Sequence, residues 1–96
     1  MPVPGRTAVP IPRTITPADD GRTFTMAVGQ TAGLVVPDPT APEPMVEGES
    51  VEVVAVVNVA ASGRREWELR AVAAGRTTLT GGGLHPYVIT LDVASP

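Results

Sequence analysis

Cysteine is absent from the 96 residues, so no disulfide can staple the chain and no thiolate can hold a metal. Lysine is absent as well, and the seven arginines form no single cluster. At a net charge of −3 the chain has none of the massed basic surface that nucleic-acid binding needs. No apolar run approaches the roughly 20 residues of a membrane-spanning helix. The stretch Met1-Pro2-Val3-Pro4-Gly5-Arg6 lacks the apolar centre of a secretion signal. A protein used without export, or one already trimmed, is expected. The length suits one domain with a modest core, close to the stability margin.

What the chain has instead is punctuation: 11 prolines and 10 glycines. Residues 1–17 hold Pro2, Pro4, Pro10, Pro12 and Pro17. Proline fixes φ and lacks an N–H, so this segment cannot be a helix or a central strand. It is expected to be an extended arm, with Arg13-Thr14-Ile15-Thr16 as a short edge strand and residues 18–96 as the domain proper. A second proline-rich segment, Pro37 to Pro44, must be a loop.

Between these breaks the apolar residues alternate. Phe24, Met26 and Val28 share one face of a strand; Trp67, Leu69 and Ala71 share one face of another; Tyr87, Ile89, Leu91 and Val93 share one face of the last. Thr31–Val36 and a short stretch at Arg76–Thr80 complete the pattern. Val51 to Ala60 carries valines on both faces, which predicts a central strand or one with a covered outer face. No window has helical periodicity. About seven short antiparallel strands at 8–12-residue spacing predict an all-β, immunoglobulin-like sandwich with an extended proline-rich N-terminal arm.

Asp19-Asp20-Gly21-Arg22-Thr23-Phe24, Val28-Gly29-Gln30 and Trp67-x-Leu69-x-Ala71-x-x-x-Gly75-x-x-x-Leu79 together resemble bacterial and phage immunoglobulin-like domains. Over about residues 15–94 the chain is also similar to the chagasin-type inhibitors of papain-like cysteine peptidases. Those inhibitors work through three loops. The resemblance implies that Asp38-Pro39-Thr40-Ala41-Pro42 stands where their Asn-Pro-Thr-Thr-Gly loop does. His85-Pro86-Tyr87 would stand for their Arg-Pro-Trp loop, and Ala61-Ser62-Gly63 for the middle one. Residues 37–44 and 84–87 should then lie side by side at one end of the sandwich.

Catalysis finds little footing. His85 is the single histidine, and it precedes a proline in a loop. Ser50, Ser62 and Ser95 sit in no nucleophile elbow. Glu43, Glu47, Glu49 and Glu52 lack the spacing of a calcium loop and read as a solvated, aggregation-blocking run. Gly81-Gly82-Gly83 has no phosphate-loop lysine or helix and reads as a flexible hairpin connection. Trp67 reads as a core anchor. No cofactor or metal is implied.

The function expected from these features is therefore a non-catalytic module that binds a protein. The arm (Pro4, Val9, Pro10, Ile11 and Pro12) would attach it to a larger assembly, such as a phage capsid that it decorates, giving a virion location; whether the arm docks on its own sandwich or on a partner, and whether the protein is a homo-oligomer, are left open. The sandwich should then fold without residues 1–17. The alternatives are a chagasin-like cysteine peptidase inhibitor acting through Asp38, Pro39, Thr40, His85, Pro86 and Tyr87, or an exported cell-surface domain.

Overall fold

The computed structural model of the protein describes residues 8–57 and 63–95. Nine strands follow in order: β1 Val9–Pro10, β2 Thr14–Ile15, β3 Thr23–Ala27, β4 Thr31–Val36, β5 Met45–Glu47, β6 Val51–Val56, β7 Arg65–Ala71, β8 Gly75–Gly81 and β9 Tyr87–Ala94. One 3-10 turn, Pro17–Asp19, is capped by Thr16, with Asp19 returning a bond to the Thr16 N–H. Two sheets face each other, β1-β3-β9-β8-β5 and β2-β4-β7-β6. The architecture is the immunoglobulin-like sandwich expected, with nine strands rather than seven.

The alternation explains the layers. Phe24, Met26, Leu34, Val36, Trp67, Leu69, Leu79, Ile89 and Leu91 all point inward and are almost wholly buried. Their partners on the strands point to solvent. Strand direction then reverses at every connection from β3 to β9, so the connections sort to two ends. At one end, the turns after β3, β5 and β7 are laced together by backbone bonds: Gly29 N–H to Ala71 O, Ala71 N–H to Gln30 O and Val72 N–H to Ser50 O, each 2.8–3.0 Å. Ser50 and Thr77 hydroxyls, 2.6 Å apart, seal that end from inside. The opposite end collects the turn at 16–22, the 37–44 loop, the start of β7 and the 82–86 loop.

Four expectations need correction. The pairs β1–β3, β2–β4 and β3–β9 are parallel, because the first strand is split and β9 returns alongside β3. Strand β6 is an edge strand. Its outer valines, Val54 and Val56, are exposed, and Val57 beyond them is 87% exposed; a β-branched run here satisfies strand propensity rather than burial. Val59 and Ala60 lie outside the described residues. Strand β5 follows directly on Pro44, where proline density masked a three-residue strand.

The fourth concerns the arm. Val9 and Pro10 pair with Phe24 and Thr25 of one sheet, the Ile11 N–H donates to Thr25 O, and Thr14 and Ile15 pair with Gly33 and Leu34 of the other. The chain thus crosses the side of the sandwich and closes it with Ile11 (6% exposed) and Ile15 (0%). Ile11 is therefore not available to a partner, whereas Val9, Pro10 and Pro12 are exposed. Pro4 lies outside the described residues.

Because Ile15 is wholly enclosed, Ile15→Ala should destabilise the domain by about 3 kcal/mol. Removal of residues 1–17 should cost more, against a total of about 5–15 kcal/mol for a domain this size. Urea unfolding followed by Trp67 fluorescence checks both; wild-type midpoints would contradict the strap.

Candidate functional site

The loop end is built on Asp38. Its N–H is held by Val36 O, and its carbonyl accepts from the Ala41 N–H. Its carboxylate Oδ1 accepts from the Thr40 hydroxyl at 2.7 Å and from the Thr40 N–H at 2.9 Å. This is the local turn that Asp forms readily, and it satisfies a side chain only 5% exposed. The two Thr40 bonds hold the Asp38 carboxyl below its ordinary range, with the nearby His85 and the Leu84 N–H adding to the effect. Asp38 therefore pins its own loop and stands beside the 82–86 loop, its Oδ2 3.7 Å from where a Cβ on Gly83 would lie.

The glycines make that approach close enough. A side chain on Gly81 would collide with the Tyr87 ring that packs over it, and a Cβ on Gly83 would lie 3.1 Å from Pro42 Cδ. Gly83 also has φ +79°, a conformation that only glycine adopts without strain. The Gly81-Gly82-Gly83 run thus serves contact rather than flexibility: Gly81 ends β8, and Gly83 lets the third loop pack against the first.

Arg65 ties in the start of β7. Its guanidinium donates to Ala41 O at 2.8 Å and lies 4.8 Å from the Trp67 ring centroid. On the far side, the turn at 16–22 is fastened to β9 through Gly21 N–H to Val88 O (2.8 Å) and Val88 N–H to Asp20 Oδ1 (2.7 Å). An apolar cleft of about 560 Å³ opens between this turn and the third loop, walled by Pro17, Val35, Pro37, Leu84, His85 and Pro86.

The candidate residues divide accordingly. Residues 37–44 and 84–87 do lie side by side at one end. Pro39, Thr40, His85 and Pro86 are exposed there. Tyr87 is not a contact residue: it is 2% exposed, in β9, and burial raises its phenol above the ordinary value. Its place at the tip belongs to Leu84, 78% exposed, which the alternation rules passed over because a lone apolar loop residue carries no period. Ala61 and Ser62 lie outside the described residues; Gly63 is exposed. Among the described residues no three His, Asp or Glu side chains converge as a metal site would require. Ser50 is occupied with Thr77, and Trp67 is 2% exposed, a core residue.

No family model matches the sequence, and no curated protein matches it. Solved structures do. The cysteine protease inhibitor EhICP2 of Entamoeba histolytica superposes with a TM-score of 0.69 at 13% identity, covering 85% of this chain and 94% of that one. Amebosin superposes with a TM-score of 0.57 at 17% identity, covering 84% and 96%. At such identities the likeness is one of fold.

The Asp38 anchor has a pH signature. A carboxyl whose folded-state value is lowered contributes order that is present above its unfolded value near 3.8 and is lost as pH falls below it. The Thr40 and Leu84 amide resonances should therefore move together on acidification, and Asp38→Asn should abolish the shared titration. Independent behaviour of the two amides would contradict this proximity. The same titration places the tie at full strength at neutral pH, so binding there should be insensitive to Asp38 protonation.

Proposed function

We propose that this protein is an inhibitor of papain-like cysteine peptidases that acts through its loop end. The observation that carries the reading is the convergence of the first and third loops and the start of β7 on one end, fastened by Asp38 and Arg65, on a fold that superposes on nearly the whole of a cysteine protease inhibitor. Rigid loops suit this task, because a preordered binding edge loses little conformational entropy on association. Leu84, His85 and Pro86 form the projecting element, and Pro39-Thr40 the flanking one. Two prolines in these tips limit the conformations that a peptidase cleft could draw into a scissile geometry.

Attachment to a virion through the arm has no comparable support, since residues 9–15 are engaged in the chain's own sheets. The binding of a protein partner is common to both readings.

Papain activity titrated with the protein is the direct test. Inhibition at micromolar protein or below is expected, with Leu84→Asp weakening it at least about tenfold, or roughly 1.4 kcal/mol, at unchanged thermal stability. Arg65→Ala should weaken it by slackening the first loop, at a stability cost of about 1–2 kcal/mol. No inhibition at micromolar protein would end the proposal.

A further inference from the structure

The two sides of the sandwich are closed differently. On one, the chain crosses between the sheets and buries Ile11 and Ile15. On the other, β5 ends one sheet and β6 ends its partner, and nothing among the described residues covers the seam between them. The ladder places Val46 opposite Leu79, Val53 opposite Leu69 and Ala55 opposite Trp67. All three therefore face inward with core residues. Yet Val46 is 41% exposed, Val53 is half-buried and Ala55 is exposed. A cavity of about 120 Å³ opens there, lined by Glu43, Pro44, Val46, Val53, Ala55 and the Trp67 side chain.

Trp67 lines this cavity, and the segment along its rim is acidic. Trp67 is 98% buried, and its indole N–H has no acceptor among the described residues; a buried donor without a partner is costly and uncommon. Along the rim, the segment that forms the edge carries Glu43, Glu47, Glu49 and Glu52, and no arginine lies between Arg22 and Arg64. Glu43, Glu47 and Glu49 enter no ion pair among the described residues. Strand β6 adds six residues of edge backbone, the template on which an extended peptide pairs.

We propose that this seam binds an extended, basic segment of a partner protein, laid along β6 as an added strand. One small apolar side chain of that segment enters the cavity, a carbonyl accepts the Trp67 N–H, and its arginines or lysines face the glutamates. A second copy of this chain is disfavoured as occupant, because two such edges would set glutamate against glutamate. The surface lies on the flank and meets the loop end only at Glu43 and Pro44, so the peptide titration tests it apart from peptidase inhibition.

Trp67 is the single tryptophan, so its indole N–H gives one resolved NMR signal in the 15N-labelled protein. Titration with the capped peptide Arg-Val-Arg-Val-Arg-Val should move that signal saturably and slow its solvent exchange. The effect should weaken as salt rises, and about tenfold in the triple variant Glu43→Gln, Glu47→Gln, Glu49→Gln, whose exposed positions leave folding intact. The matched peptide Glu-Val-Glu-Val-Glu-Val should have no effect. A signal unmoved by the basic peptide, or moved equally by both peptides, overturns the proposal, leaving a solvent-filled seam. So does a signal that shifts with protein concentration alone, which would make a second copy the occupant. Should the triple variant unfold, the salt dependence of the wild-type titration decides the same point.

Discussion

Everything in this molecule follows from the need to bury one row of alternating side chains per strand between two sheets. Without disulfides or metal, and with three aromatic residues, the core relies on aliphatic interdigitation around Trp67, Leu69, Leu79, Ile89 and Leu91. That requirement fixes which face of each strand is inward, and hence its register. Register and chain reversal then decide where the connections fall. The loop end follows from the core, to which it contributes Ala41.

The two ends are held by different mixtures of main-chain and side-chain bonds. At one end the turns are joined by main-chain bonds, which any sequence with the right turn residues can supply. At the other, main-chain bonds hold the 16–22 turn to β9, and side chains add ties around the first loop: Asp38 to Thr40 and Arg65 to Ala41. Side-chain ties leave the loop backbone free to project, so Leu84 and His85 stand out in solvent while their bases stay fixed. Proline and glycine contribute oppositely here, with Pro42 as a wall and Gly83 as the gap that fits it.

How much of this could be seen in the residues depended on period. The long alternating strands β3, β7 and β9 were legible because five or more residues repeat with period 2. Strands β1 and β5, of two and three residues, were not, because no repeat fits into so few positions. The valine run of β6 misled: β-branched residues favour strands whether central or at an edge, and nothing local distinguishes the two. The arm was placed outside the domain for a related reason, although Thr14–Ile15 is the edge strand expected there. Proline bars a central strand but not an edge one, so Val9–Pro10 could pair at the margin of a sheet while Ile11 and Ile15 filled the core. The pairing of the first and third loops was visible only through resemblance. Arg65, which fastens them, gave no signal at all, since an arginine at a strand start is ordinary until its partners are seen.

The loop end is the surface proposed to meet a peptidase. The most direct measurement is backbone amide shift mapping of the 15N-labelled protein with papain whose active-site cysteine is blocked by a small alkyl group. Perturbations should gather on the amides of residues 38, 40, 41, 63–65, 84 and 85 and spare the turns at 28–30, 48–50 and 72–74. Perturbation confined to those opposite turns, or none with papain in excess, would contradict it.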